Sequence, residues 1–404
     1  MTGMGSAHGH GDVQTSGVVP KRVKRVIGIS VGLCAILTLL GLVLLWPSGP
    51  ITSTMDAATL FGQREPAVIT DNSIGPCSYD PIAGCFQVQF RITGGETANT
   101  TGSWERPYDP STRRFHVDDE IYVYAIRLAD GSTSYEFAEY ERSTPLLLLV
   151  LIFVVAVLLL ARWKGLGAIG GLIASLLVLA VFALPALLRG QNAVAVALVS
   201  ASVIAFIALY LAHGINAATT VALLATFLSL ALIGILAWIF VGASDLSGYT
   251  EDSTFVLTSL GLQIDARGLL LAGVVIGSLG VLDDVTVTQV SAVWEIRQAR
   301  PSADRQDIYR SAVNIGRDHI SSTVNTLFLT YAGAALPLLL LFSVAGQPIS
   351  NVLTGEVIAT ELVRSLIGSV GLIASVPIST WLATLVITAA PIPPAPIATS
   401  TEMP

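Results

Sequence analysis

Residues 145–161 pass without one side chain that can donate or accept a hydrogen bond. A helix of about 17 to 25 apolar residues crosses the hydrocarbon of a bilayer, and few soluble folds bury so uniform a run. Seven other runs have nearly the same character: 26–46, 166–188, 193–212, 217–241, 267–293, 321–343 and 362–388. In lipid each backbone N–H and C=O must find its partner inside the protein, so each run is expected as a helix. The expected fold class is an α-helical polytopic membrane protein with about eight transmembrane helices. Composition agrees, since charged residues make up only 12% of the chain, against about 25% in ordinary soluble domains.

The gap between the first two runs holds something different. Residues 47–145 carry 14 of the 28 Asp and Glu but only 7 of the 21 Lys and Arg, so the whole net charge of -7 belongs to this stretch. Phe86–Ile92 alternates strictly between apolar and polar, Ile121–Leu128 is β-branched and aromatic, and Ala67–Thr70 adds a third strand signal. A small β-rich domain, a five- or six-stranded barrel or sandwich, is therefore expected between the first and second membrane helices.

Lys21, Arg22, Lys24 and Arg25 precede the first run. Threading the runs alternately puts Arg162, Lys164, Arg297, Arg300, Arg305, Arg310 and Arg317 on that same side, with Arg189, Arg267 and Arg364 as exceptions. The positive-inside rule then places both termini in the cytoplasm and the β-rich domain outside it. The first run resembles a signal peptide, but it is long and ends in Trp46-Pro-Ser-Gly-Pro50. An uncleaved anchor is expected, with cleavage as the alternative.

The expected organisation is a disordered cytoplasmic N-terminus (1–25), the anchor (26–46), the extracytoplasmic domain (47–144), a seven-helix membrane domain (145–390) and a cytoplasmic tail (391–404). Residues 242–266, with Asp245, Glu251, Asp252 and Asp265, read as an outer acidic loop with room for a short interfacial helix. Of the basic residues 18 are Arg, which suggests a GC-rich bacterial genome and hence a cell (plasma or inner) membrane. Cys77 and Cys85 fall in the outer domain without Cys-x-x-Cys spacing or a nearby His pair, so a disulfide is expected ahead of a metal or redox site.

Ionisable groups inside a bilayer are costly and point to function. Gly273, Gly277, Gly280, Asp284, Thr288, Ser291 and Glu295 recur at helical spacing and form one stripe, glycine in its outer half and polar in its inner half. The glycines are candidates for helix packing. Asp284 is the candidate proton, ion or substrate site, with Thr288 beside it. Asp283 points about 100° away, beside Val287, Val290 and Trp294, and reads as a boundary residue. On the next run Asn314, Asp318, Ser322 and Asn325 recur on one face, and His213 lies at the same inner surface. Asp284, Thr288, Asn325, Asp318 and His213 are expected to converge on a vestibule open to the cytoplasm. Plain alternatives are a capping role for Asp284, a loop role for His213 and helix-to-helix bonding for Asn325.

Other chemistries find no support. There is no Gly-x-x-x-x-Gly-Lys-Ser/Thr loop for ATP, no metal-ligand spacing beyond His8 and His10 in the tail, no Tyr-Asp for aspartyl proteolysis and no basic surface for nucleic acid. The chain is therefore expected not to be an enzyme and to need no cofactor. An echo between 164–176 and 267–279 shares a basic residue, Gly-Leu, a Gly, an Ile and Ser-Leu. It has the form of two halves in inverted topology, as in many secondary transporters, although apolar helices also match by chance.

The stretch Gly277-Ser-Leu-Gly-Val-Leu-Asp-Asp-Val-Thr-Val-Thr-Gln289 resembles the YibE/F-like family of bacterial membrane proteins, which carry a comparable Gly-x-Leu-Gly-x-x-x-Asp-Val segment. Arg162-x-Lys-Gly165, Leu184-Pro185, His213-Gly214, Asn314-Ile-Gly-Arg-Asp318, Tyr331-Ala-Gly333-x-x-Leu-Pro337 and Arg364-x-x-x-Gly-Ser-x-Gly371 are further similar features. The resemblance spans roughly 140–390 and falls on Asp284, while Asp283 occupies a position that is usually apolar in the family. It implies a multi-pass membrane protein and brings no reaction with it.

Two functions compete at this point. One is a secondary transporter or permease for a small solute or ion. The other is a membrane sensor, scaffold or assembly factor that engages an envelope protein through its outer domain and a second copy of itself through its helices. Convergence of polar stripes on an open cavity favours the first, and dry glycine packing around Asp284 favours the second.

Overall fold

The computed structural model describes residues 20–49, 63–80, 82–95, 97–128, 131–249, 252–259, 261, 262, 264–346 and 348–389. The tails, with His8 and His10, and Glu251 lie outside these residues. The chain divides into two compact units, Thr52–Leu160 and the remainder.

The smaller unit is built on five strands: β1 (Gln63–Pro76), β2 (Gly84–Ile92), β3 (Thr101–Pro107), β4 (Glu120–Arg127) and β5 (Thr133–Tyr140). They form one antiparallel sheet in the order β3-β2-β1-β4-β5. Three hairpin-linked strands with the fourth returning beside the first make a Greek key. The long β1 permits this, pairing β4 along Gln63–Val68 and β2 along Ala67–Pro76, with a register shift between Ile69 and Asp71. A bulge bends a strand, and the edge strands come together: a Cβ on Gly102 of β3 would lie 2.8 Å from Tyr135 of β5. The domain is one curled sheet, not a two-sheet sandwich.

The alternation in β2 buries Phe86, Val88, Phe90 and Ile92. Phe115, from the β3–β4 connection, plugs the curl against Trp104 at 4.8 Å and Phe137 at 5.2 Å between ring centroids. Its carbonyl accepts from Asn72 Nδ2.

Cys77 and Cys85 are joined, with Cα atoms 5.0 Å apart, and close the β1–β2 loop. Loop closure over this separation contributes about 2 to 3 kcal/mol. Mass spectrometry of the unreduced protein should find the two residues cross-linked, and reduction should lower the melting temperature of this domain; two free thiols would reject the bridge.

β5 leads into α2 (Ser143–Trp163). The Glu141 carboxylate accepts from Ser143 N at 2.6 Å. The Ser143 hydroxyl, the Tyr122 hydroxyl and this backbone bond hold its pKa down to about 2, so an anion stands at the first turn of the helix, where the dipole favours it.

The larger unit contains α1 (Lys21–Leu44), α3 (Gly165–Leu188), α4 (Ala193–His213), α5 (Ala217–Ala243), α6 (Asp252–Ser259), α7 (Ala266–Ala299), α8 (Arg305–Ala334), α9 (Leu336–Val344), α10 (Ile349–Thr354) and α11 (Glu356–Thr388). Among the described residues seven helices are long and apolar enough to cross a membrane, and α8 with α9 makes an eighth if the bent pair is one span. The expected run 321–343 is corrected here. The helix starts at Arg305, because Asp304 caps it by accepting from Asp307 N at 2.7 Å. It breaks by 57° before α9, where Pro337 has no N–H to give and its ring crowds the preceding turn. The acidic loop holds α6, the short helix expected there.

α7 is central, with α4, α5, α8 and α11 packed around it. α8 runs back along α7, setting His319 beside Asp284 and Ala312 against Gln289. α11 runs with α7, setting Thr380 against Gln289. One end of the unit thus carries Lys21, Arg22, Arg297 and Arg305 around a core of Ile27, Trp294 and Ile308. At the other, the Glu356 carboxylate accepts from Ser247 Oγ at 2.6 Å.

Close approach fixes the packing. A Cβ on Gly371 of α11 would collide with Ile233 of α5, and one on Gly316 of α8 would lie 2.7 Å from Gln289 Oε1. Buried hydroxyls of α11 are satisfied locally: Ser379 donates to the Ser375 carbonyl and Thr380 to that of Val376, both at 2.7 Å.

Candidate functional site

The glycine and acid stripe of α7 is turned out of the bundle. Gly273, Gly277, Gly280, Asp284, Thr288 and Glu295 are all exposed, while the residues between them are largely buried. Nothing lies within 4 Å of a Cβ built on Gly273 or Gly280, and only the Tyr331 hydroxyl approaches one on Gly277, at 3.4 Å. Helical spacing found the stripe correctly, but the packing role expected of its glycines is not exercised within one chain. α7 is enclosed by α5 and α11, whose contacts fall on Thr286, Gln289 and Val285, so the small residues are left on the open side, between α4 and α8.

On that side Asp284 faces α8. Its Oδ2 lies 3.7 Å from His319 Nε2, with the two side chains 67% and 42% exposed. Thr288 folds back, donating to the Asp284 carbonyl at 2.7 Å. α8 continues the polar surface: Asn314, Asp318, Ser322 and Asn325 are all exposed along one line. Arg317 donates to Asn314 Oδ1 at 3.2 Å. Asp284 and Thr288 are thus exposed on α7 and Asp318 and Asn325 on the antiparallel α8, and the contact between the two helices on this side is the one between Asp284 and His319. His213 is positioned by a different feature, the α4–α5 turn, where its carbonyl accepts from Asn216 Nδ2 at 2.9 Å while Asn216 caps α5. The histidine beside Asp284 is His319, which spacing within a single helix could not pair with it.

Asp283 is corrected more strongly. It is no boundary residue: it packs inward beside the Thr226 hydroxyl of α5, and its Oδ1 is buried without a partner among the described residues. Thr226 and Thr286 share a hydrogen bond of 2.9 Å next to it. The two neighbouring carboxylates thus have opposite surroundings, one dry and one open.

Gln289 was not singled out as a site by the sequence and is structurally central. It is buried, and its Nε2 donates to the Ala312 carbonyl and to Thr380 Oγ1, both at 2.7 Å, tying α7 to α8 and α11 behind Asp284. No group of three or more His, Cys, Asp or Glu suited to a metal ion occurs among the described residues.

The YibE/F-like family matches residues 149–389, which runs from α2 to the end of α11 and takes in Asp284, His319 and Gln289. The chain belongs to the YibE/F-like family. The match leaves α1 and the β-sheet domain of this YibE/F-like protein outside it. No curated protein and no solved structure matches the chain.

Proposed function

We propose that this YibE/F-like protein is a secondary transporter or permease of a bacterial inner membrane, carrying a small solute or ion along the polar face of α7 and α8. The observation that supports this most is the meeting of Asp284 and His319 from two helices on an open face. A carboxylate and an imidazole at membrane depth serve a proton or ion relay better than a lipid contact. Asp284 is not sealed by dry glycine packing, which is what a purely scaffolding stripe requires. The polar line through Asp318, Ser322 and Asn325 gives the face the length of a pathway rather than of one isolated site. In this proposal the protein is not an enzyme and needs no cofactor, both termini are cytoplasmic, and the β-domain lies outside as a lid or docking module.

The reading in which the outer domain recruits an envelope protein keeps one specific observation. The disulfide loop presents Tyr79 and Ile82 to solvent, Ile82 at 97% exposure.

Single cysteines in a background with Cys34→Ser test the pathway. A membrane-impermeant thiol reagent should label residues 288, 318 and 325 from the cytoplasmic side, and should leave residues 226 and 286 unlabelled. It should reach residue 305 only from inside and residue 100 only from outside. Protection of 288, 318 and 325 would withdraw the pathway, and outside labelling of 305 would overturn the topology.

A further inference from the structure

We infer that the cleft between α1, α5 and α11 is a site for an anionic phospholipid, with one acyl chain in the cleft and the phosphate on Arg22. The cleft is a cavity of about 330 Å³ at the basic end of the larger unit, within the roughly 300–1,000 Å³ of ordinary ligand sites. It exists because α1 packs chiefly on α4 and α5, so that its first turns straddle a gap beside α11. Buried Ile27, Val221 and Val386 make the floor, and Val26, Leu224 and Leu382 stand around it. Arg22 is the one charged residue in the lining, and its exposed side chain has no hydrogen-bond or ion-pair partner among the described residues. By helical spacing Arg22, Val26 and Ser30 share one face of α1 over about 12 Å, most of the ~15 Å depth of one leaflet.

Shape and charge together choose the occupant. A free phosphate would pair with Arg22 but leave the apolar floor uncovered, and a zwitterionic lipid would cover the floor but bring its own cation to the guanidinium. An anionic phospholipid satisfies both, since basic pockets between membrane helices hold anionic headgroups and a guanidinium matches phosphate with two parallel bonds. Snorkelling of Arg22 to the membrane surface needs no cavity. The buried floor beside it is what a bare anchor helix lacks. α1 stands outside the stretch that matches the family, while α5 and α11 lie within it, so the lipid ties the added anchor helix to the family domain. The cleft is on the enclosed side of α7, away from the Asp284 row. The inference rests on the chain lying in a bilayer and not on transport.

The test offers the full-length protein, in detergent micelles, equal amounts of phosphatidylglycerol and phosphatidylcholine, and counts the retained lipids by native mass spectrometry. Wild type should prefer phosphatidylglycerol by about fivefold or more, the share of one basic side chain at an anionic headgroup. Arg22→Gln should lose the preference, while Lys21, Lys24 and Arg25 keep the orientation of the anchor. Val26→Trp fills the cleft from an exposed position, and should lose the lipid without lowering the melting temperature measured in detergent alone. A photoactivatable acyl chain on phosphatidylglycerol should cross-link within residues 221–224 and 382–386, and excess glycerol 3-phosphate should not compete. Equal retention of the two lipids by the wild type, retention indifferent to both substitutions, or competition by glycerol 3-phosphate would overturn the inference. So would lipid uptake only after deletion of residues 2–19, as expected if the chain's own N-terminus fills the cleft.

Discussion

Gly316→Leu is expected to prevent stable folding, with a loss of about 3 kcal/mol or more, while Gly280→Leu on the neighbouring helix leaves stability unchanged or slightly higher. Gly316 sits where α8 crosses α7 and α11: its absent Cβ would lie 2.5 Å from Val376 Cγ1 and 2.7 Å from Gln289 Oε1. Neither neighbour can retreat. Val376 packs with Val285 and Leu372, and Gln289 is held by two hydrogen bonds of 2.7 Å. A leucine there must push α8 away and strand the Gln289 amide, so overpacking and a lost buried bond add together. At Gly280 the same side chain meets nothing within 4 Å and gains about 1 kcal/mol of helix propensity. Yield and thermal unfolding in detergent check the pair. Equal stability of the two variants would mean that the α7–α8–α11 crossing is not as described.

The helices were legible because lipid imposes one rule, and hydropathy reads it: four of the expected runs match helices to within two residues at both ends. The others departed for local reasons. The helix from Arg305 leaves the apolar stretch through polar turns that hydropathy discards, although Asp304 was a readable cap. The last helix likewise starts at Glu356, ahead of its apolar part. In the β-domain, β2 and β4 announced themselves by alternation and β-branching. The Greek key did not, because it depends on a long bent β1 that serves two partners, and pairing between distant strands leaves no periodic trace.

The candidate site shows a sharper limit. Spacing of 3.6 residues per turn grouped Gly273 to Glu295 correctly and separated Asp283 from Asp284. It cannot say which face turns inward, because α7 carries small or polar residues on both sides. Inward-facing Thr286 and Gln289 are as polar as outward-facing Thr288. Only the neighbours decide: the Thr226–Thr286 bond places α5 beside Asp283, and the Gln289–Thr380 bond places α11 behind Gln289, away from the open row. The pairing of Asp284 with His319 required the register of α7 against α8, which no single-helix pattern contains.

Asp284→Asn is expected to fold and insert normally, since the amide is isosteric and the position is open, yet to abolish function. Asp283→Asn removes a carboxylate from a dry contact with α5, where an unpaired charge is costly; it should leave function largely intact and stability equal or higher. Ion and metabolite profiling measures this most directly, in cells that carry wild type, Asp284→Asn, Asp283→Asn or no protein, at matched expression in the membrane. The profile of Asp284→Asn should coincide with that of cells lacking the protein, and Asp283→Asn with wild type. An Asp284→Asn profile indistinguishable from wild type across the working pH range would contradict a solute pathway on the α7–α8 face.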